Sequence, residues 1–213
     1  MTVNLSKGQT VSLAKNGGIR NVMVGLGWSP ASQESEITQE RKKGFFGKLF
    51  GGSGEHSIRN VIQNIDCDAF AIITGDNGYR SEVVYFGNLS SRTNAVKHSG
   101  DNLTGEGDGD DEVIYVNLDK LDSAANRVIL AVNIYNAKSK NQDFSKIKDA
   151  YIRMVDMDKD TEVCIYKLSG NEYAGYVTMV LGELLLINGE WQFKACGEPS
   201  KANSINEFYH IYL

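Results

Sequence analysis

Proline is nearly missing from this sequence, with 2 in 213 residues, and cysteine is scarce at 3. An odd number of cysteines, Cys67, Cys164 and Cys196, is not a disulfide framework. A chain of this length buries enough apolar surface to fold without staples. No apolar run approaches the ~18–20 residues of a membrane helix, and Met1 to Ser12 lacks a basic stretch followed by an apolar one. The expectation is a cytoplasmic protein. A basic stripe interleaved with aromatics is also missing, which argues against a nucleic-acid partner. The histidines, His56, His98 and His210, stand singly, and no Cys-x-x-Cys spacing occurs, so a zinc-type site has no ligand pattern.

What the chain does have is glycine, 22 residues, and acid, 27 Asp and Glu against 22 Lys and Arg for a net charge of −5. Glycine without proline points to many tight turns between strands. The acid is concentrated: Asp101, Glu106, Asp108, Asp110, Asp111 and Glu112 fall in one window with no base, and without those six the chain holds 21 acids and 22 bases. Six carboxylates so close repel one another unless a cation neutralises them or they splay into water.

Period-two alternation recurs along the chain. In Asn21 to Trp28 the residues Val22, Val24, Leu26 and Trp28 share one face, as in a half-buried strand. Comparable runs occupy residues 10–14, 68–74, 82–86, 112–118, 127–135, 150–155, 162–168, 175–187 and 190–196. About ten short strands predict an all-β fold, an antiparallel two-sheet sandwich with a few short helices, or a barrel. Asp76-Asn77-Gly78 and Asn188-Gly189 carry the type I′ hairpin signal. Asp143 is placed to cap a short helix through Ile147, and 203–210 is a second short helix. The whole of 1–213 reads as one domain.

One segment, about 29–59, breaks the alternation and reads as a long loop or insertion, basic and glycine-rich around Arg41, Lys42, Lys43 and Lys48. Phe45, Phe46, Leu49 and Phe50 within it suit a contact with a partner or a membrane surface, or else tuck back onto the sandwich.

The window from Ser99 to Glu112 alternates oxygen donors with glycines. Glycine permits the turns that bring carboxylates and backbone carbonyls around one point, and calcium takes six to eight such oxygens in irregular geometry, which magnesium tolerates poorly. The window is not an EF-hand: counted from Asp101, the invariant glycine position holds Glu106, and counted from Asp108 it holds Val113. A phosphate cradle is disfavoured by the same carboxylates. The alternative is an acidic loop in water. Asp66 and Asp68 flank Cys67 just before an apolar run, so their carboxylates share a strand face and suit a site shared with the glycine-rich window, unless they only guard a strand edge. Asp156 to Asp160 reads as a turn. No Gly-x-Ser-x-Gly elbow occurs, and His98 is expected to be an ordinary polar residue rather than a base.

These residues resemble the tellurium-resistance TerD family of bacterial cytoplasmic calcium-binding stress proteins. The matching stretches run from Leu5-Ser6-Lys7-Gly8-Gln9 through Val24-Gly25-Leu26-Gly27-Trp28, Asp66-x-Asp68-Ala69 and Gly100 to Glu112, to Gly182-Glu183-Leu184 and Trp191-x-Phe193-x-Ala195. The resemblance implies a β-sandwich that holds one or two calcium ions, a role in resistance to tellurite and other stresses, and no catalysis. The ligand set it points to is Asp66, Asp68, Asp101, Asp108, Asp110, Asp111 and Glu112, with Asn102 and Glu106 beside them and Gly105 and Gly107 giving carbonyls or turn geometry. Other stress-response proteins are the expected partners. Two departures stand out: the family has only a short link where 29–59 is expanded, and Ser29 follows Trp28 where an acid is usual. The rival class is a metal-dependent enzyme acting on phosphoesters or oxyanions.

Overall fold

The computed structural model describes residues 2–14, 18–30, 32–37, 57–62, 65–76, 79–100, 109–168 and 171–212. The strands are β1 (Val3–Leu5), β2 (Thr10–Ser12), β3 (Asn21–Pro30), β4 (Ser32–Ile37), β5 (Ser57–Ile62), β6 (Cys67–Gly75), β7 (Glu82–Val84), β8 (Val96–His98), β9 (Glu112–Asn117), β10 (Ala125–Ile134), β11 (Ile147–Asp156), β12 (Thr161–Lys167), β13 (Thr178–Ile187) and β14 (Glu190–Ser200). Two six-stranded sheets result, one ordered β1-β12-β11-β3-β9-β8 and the other β2-β14-β13-β10-β6-β7. All pairings among the described strands are antiparallel except β1 with β12, which is parallel. The sandwich read from the alternation is the fold.

Alternation places the core. Val22, Val24, Leu26 and Trp28 of β3 are buried in one apolar cluster with Ile114 and Val116 of β9, Ile152 and Met154 of β11, and Val128 and Leu130 of β10. Strand β6 departs from strict alternation, being buried from Cys67 through Ile73. The cause is a third layer. Helix α2 (Ile205–Tyr212), which comes after the short α1 (Ala137–Lys140), lies on the outer face of the second sheet. There Phe208 packs with Phe70, Ile72, Ile129, Ala131, Val180 and Cys196, so residues that would otherwise meet water are apolar. Its start is capped by a variant of the Ser-x-x-Glu box: the Glu207 N–H donates to Ser204 Oγ at 3.1 Å, and the Glu207 carboxylate accepts from the Asn203 N–H at 2.8 Å.

The turn signals are realised where they are described. Asn188 and Gly189 between β13 and β14 have φ of 52° and 79°, the positive angles of a type I′ turn. The Asn77-Gly78 turn lies outside the described residues. Asp143 caps a 3₁₀ turn, Phe144–Lys146, rather than a longer helix, accepting from the Ser145 N–H at 2.9 Å. Residues 157–160 form the expected turn. The segment about 29–59 is not a loop throughout: β3 runs on to Pro30, and the backbones of β4 and β5 pair antiparallel from Ser32↔Ile62 to Ile37↔Ser57. Polar sequence hid this ribbon, because backbone pairing needs no apolar face. The basic residues and Phe45, Phe46, Leu49 and Phe50 lie outside the described residues. No described helix is long and apolar enough to cross a membrane.

Candidate metal centre

At one edge, side chains of the first sheet meet the backbone of the second. Among the described residues, strand β7 pairs with Ala71, Ile72 and Ile73 of β6 alone. Among the described residues Ala69 therefore has no strand partner on that side, and side chains of the other sheet take its place. The buried Glu112, first residue of β9, accepts the Ala69 N–H at Oε2, 2.5 Å away. His98 of β8 meets the Ala69 carbonyl through Nε2 at 3.1 Å and lies 3.3 Å from Glu112 Oε2. Since Gly100 N–H donates to His98 Nδ1 at 3.1 Å, Nε2 carries the proton and donates. His98 and Glu112 thus stand in for a missing stretch of edge strand, a role the sequence reading of His98 did not foresee.

Asp111 sits against β3. Its N–H donates to the Leu26 carbonyl at 2.7 Å, and its carboxylate accepts the Trp28 N–H at 2.8 Å. Burial pushes the Asp111 carboxyl above its ordinary value; the Trp28 N–H opposes this and the neighbouring Asp110 charge adds to it. Asp66 and Asp68 come from the start of β6. Lys140 of α1 lies 3.7 Å from Asp66 Oδ2, and the Asp66 carbonyl accepts the Tyr135 N–H at 2.8 Å. Asp68 is buried. Burial first, and then the charges of Asp68, Glu112, Asp66 and Asp111, push the Cys67 thiol well above its ordinary value. It is a protonated core residue, not a nucleophile.

Asp110 faces elsewhere. Its carboxylate lies on the outer face of the first sheet, where Arg153 of β11 grips it with Nε at 2.7 Å and Nη2 at 2.8 Å. The Tyr151 hydroxyl is 3.1 Å from Asp110 Oδ1 and 2.9 Å from the Gly109 carbonyl. Asp110 first, through its hydrogen bond, raises the Arg153 pKa, and burial followed by the Asp110 charge pushes Tyr151 up to about 12. Arg153 and Tyr151 escaped the sequence reading because an outward polar residue on a strand gives no signal of its own.

Of the expected ligands, Glu112 is bonded next to Asp68, Asp111 lies on the Trp28 backbone, Asp66 lies near Lys140, and Asp110 is set apart on Arg153. Asp101, Asn102, Gly105, Glu106, Gly107 and Asp108 lie outside the described residues. Among the described residues no group of three or more His, Cys, Asp or Glu side chains is arranged to hold a metal ion.

Comparison with known proteins fixes the family. The TerD domain model matches residues 1–212. The stress response protein SCP2 of Bacillus subtilis is 38% identical over 216 residues, covering 100% of both chains. The tellurium resistance protein TerD of Serratia marcescens is 36% identical, covering 93% of this chain and 91% of its own. A crystal structure of a telluride resistance protein (TerD) homologue from Streptomyces coelicolor superposes with a TM-score of 0.59 over 89% of this chain and 95% of its own at 19% identity, a likeness of fold. With its model match running the length of the sandwich and the acidic residues, this chain belongs to the TerD family.

Proposed function

We propose that the protein is a calcium-binding, non-catalytic stress protein of the cytoplasm, contributing to resistance to tellurite or related chemical stress as its relatives' names suggest. The observation that carries the calcium reading is geometric: Glu112 holds the Ala69 N–H next to Asp68, and Asp111 holds the Trp28 N–H, whose indole N–H donates to the Ile65 carbonyl next to Asp66. The donor chemistry fits a hard cation: the groups are anionic oxygens, and the described bases among them are Lys140, 3.7 Å from Asp66, and His98, which is committed to Ala69 and Glu112. Asp101, Asn102, Glu106 and Asp108 would complete the donor set, with carbonyls from Gly105 and Gly107. A bound calcium ion would cancel the mutual repulsion of these carboxylates. Asp68 and Asp111 would each supply an oxygen from a different sheet, so occupancy would tie the two sheets together and stabilise the native state by mass action. The resulting ordered surface is what a partner stress protein would read, with Phe45, Phe46, Leu49 and Phe50 as a further contact to a partner or a membrane surface.

Calorimetric titration of chelator-stripped protein tests this, with magnesium as control. Saturable binding of one or two calcium ions is expected, weakened in Asp68→Asn and Asp111→Asn. No saturable heat at millimolar calcium, or unchanged affinity in both variants, rejects the assignment.

A further inference from the structure

Glycine at Gly25 and Gly27 of β3 is not explained by turns, since both lie mid-strand. The space a side chain would need there is filled. A Cβ on Gly25 would stand 2.1 Å from Asp110 Oδ2, and one on Gly27 would stand 2.4 Å from the Tyr151 ring. Arg153 and Tyr151 are the β11 neighbours of Gly25 and Gly27 in register, so guanidinium, phenol and the two bare glycines form one recess on the outer face of the first sheet. Asp110 is seated in it.

The seat matters because Asp111 and Glu112 come directly after it in the chain. Regular pairing of β9 begins only at Glu112. The approach, Gly109 to Asp111, has no ladder to hold it. It and the first residue of β9 are fixed by contacts in three directions. Asp110 goes outward to Arg153, Asp111 pairs with Leu26 and Trp28 of β3, and Glu112 goes inward to Ala69. The Arg153 fork meets both oxygens of the Asp110 carboxylate, a geometry that a single ammonium cannot reproduce.

We propose that Arg153 is a positioning residue for the carboxylate corner: by clamping Asp110 in the glycine recess it sets the direction from which Asp111 and Glu112 enter the Asp66–Asp68 site. Asp110 then serves as the anchor of the acidic segment and not as a ligand. The inference rests on the calcium reading above, and it makes a prediction whose sign opposes simple electrostatics. Removing a positive charge near a cation site should tighten cation binding. Removing the clamp should loosen it, because outer partners that orient ligands are typically worth about tenfold or more in metal affinity.

The test uses the full chain as wild type, Arg153→Met, Arg153→Lys, Asp110→Asn and the Arg153→Met/Asp110→Asn pair. Calcium affinity is measured by calorimetry, and amide hydrogen exchange of Trp28 and Asp111 is measured in chelator. The expected result is calcium binding weakened about tenfold in Arg153→Met and Asp110→Asn alike, with the double variant no worse than either and Arg153→Lys recovering only part. Equal or tighter binding in Arg153→Met overturns the proposal, as does a further large loss when Asp110→Asn is added to it, which would make Asp110 a ligand. If wild type binds no calcium, the calcium reading falls and the clamp is judged on exchange: faster exchange at Trp28 and Asp111 in Arg153→Met upholds it, and unchanged rates sink it. Arg153→Lys keeps both readouts available if Arg153→Met does not fold.

Discussion

Replacing Glu112 by alanine isolates the contact by which one sheet completes the edge of the other. In the native protein Glu112 Oε2 takes the Ala69 N–H at 2.5 Å and sits 3.3 Å from His98 Nε2, with both side chains fully buried. Alanine leaves the Ala69 N–H without its acceptor in a place water does not reach, which costs about 1–3 kcal/mol. The vacated carboxylate space adds a cavity term of roughly 1 kcal/mol, because the surroundings of a buried side chain relax only in part. A total of about 2–4 kcal/mol corresponds, for a domain of this size, to a fall in Tm of roughly 5–15 °C. The measurement belongs in chelator, so that any loss of cation binding is kept out of it, by thermal and urea unfolding of wild type, Glu112→Ala, His98→Ala and the double variant. Because both side chains serve Ala69, the two losses should be strongly non-additive, with a coupling of about 1 kcal/mol or more. A loss under about 0.5 kcal/mol for Glu112→Ala, or clean additivity, would refute the idea that this pair replaces edge-strand hydrogen bonds.

Two other perturbations probe the layers that hold the corner in place. Phe208→Ala removes the ring that meets Phe70 edge-on at 5.4 Å and stacks on Tyr212 at 4.7 Å, and it should cost about 3–5 kcal/mol in denaturant unfolding; a near-neutral result would mean that α2 is not part of the cooperative unit. Asp143 is opposed by burial but hydrogen-bonded by the Ser145 hydroxyl, the Gly175 N–H and the Ser145 N–H, which together hold its carboxyl below the ordinary value. A depressed folded pKa means that this contribution is complete above the unfolded value of about 4 and is lost as pH falls through the folded one. Asp143→Ala should therefore lower stability by about 1–2 kcal/mol at neutral pH, and the gap from wild type should close in strongly acidic solution. A Tm difference that stays constant down to strongly acidic pH would contradict the assigned hydrogen bonds.

Hydropathy alternation alone determined the class of fold. Val22, Val24, Leu26 and Trp28 can be buried together only in a strand, and repetition of that pattern between glycine-rich turns leaves an antiparallel sandwich. The Asn188-Gly189 turn was legible for an equally local reason, since few residues reach positive φ without strain. The concentration of acid between Asp101 and Glu112, and the spacing of Asp66 and Asp68, were visible as composition. Tertiary structure decided what those acids do. Sequence spacing does not say which face of which sheet a loop residue reaches, so Asp110, Asp111 and Glu112, consecutive in the chain, part company. Asp110 goes to Arg153, Asp111 to the Trp28 backbone and Glu112 to Ala69. Each partner lies at least 40 residues away in sequence. The apolar outer face of β6 and the ribbon of β4 and β5 were hidden for related reasons: the first is explained only by α2 lying over it, and the second by backbone pairing that side-chain pattern does not encode.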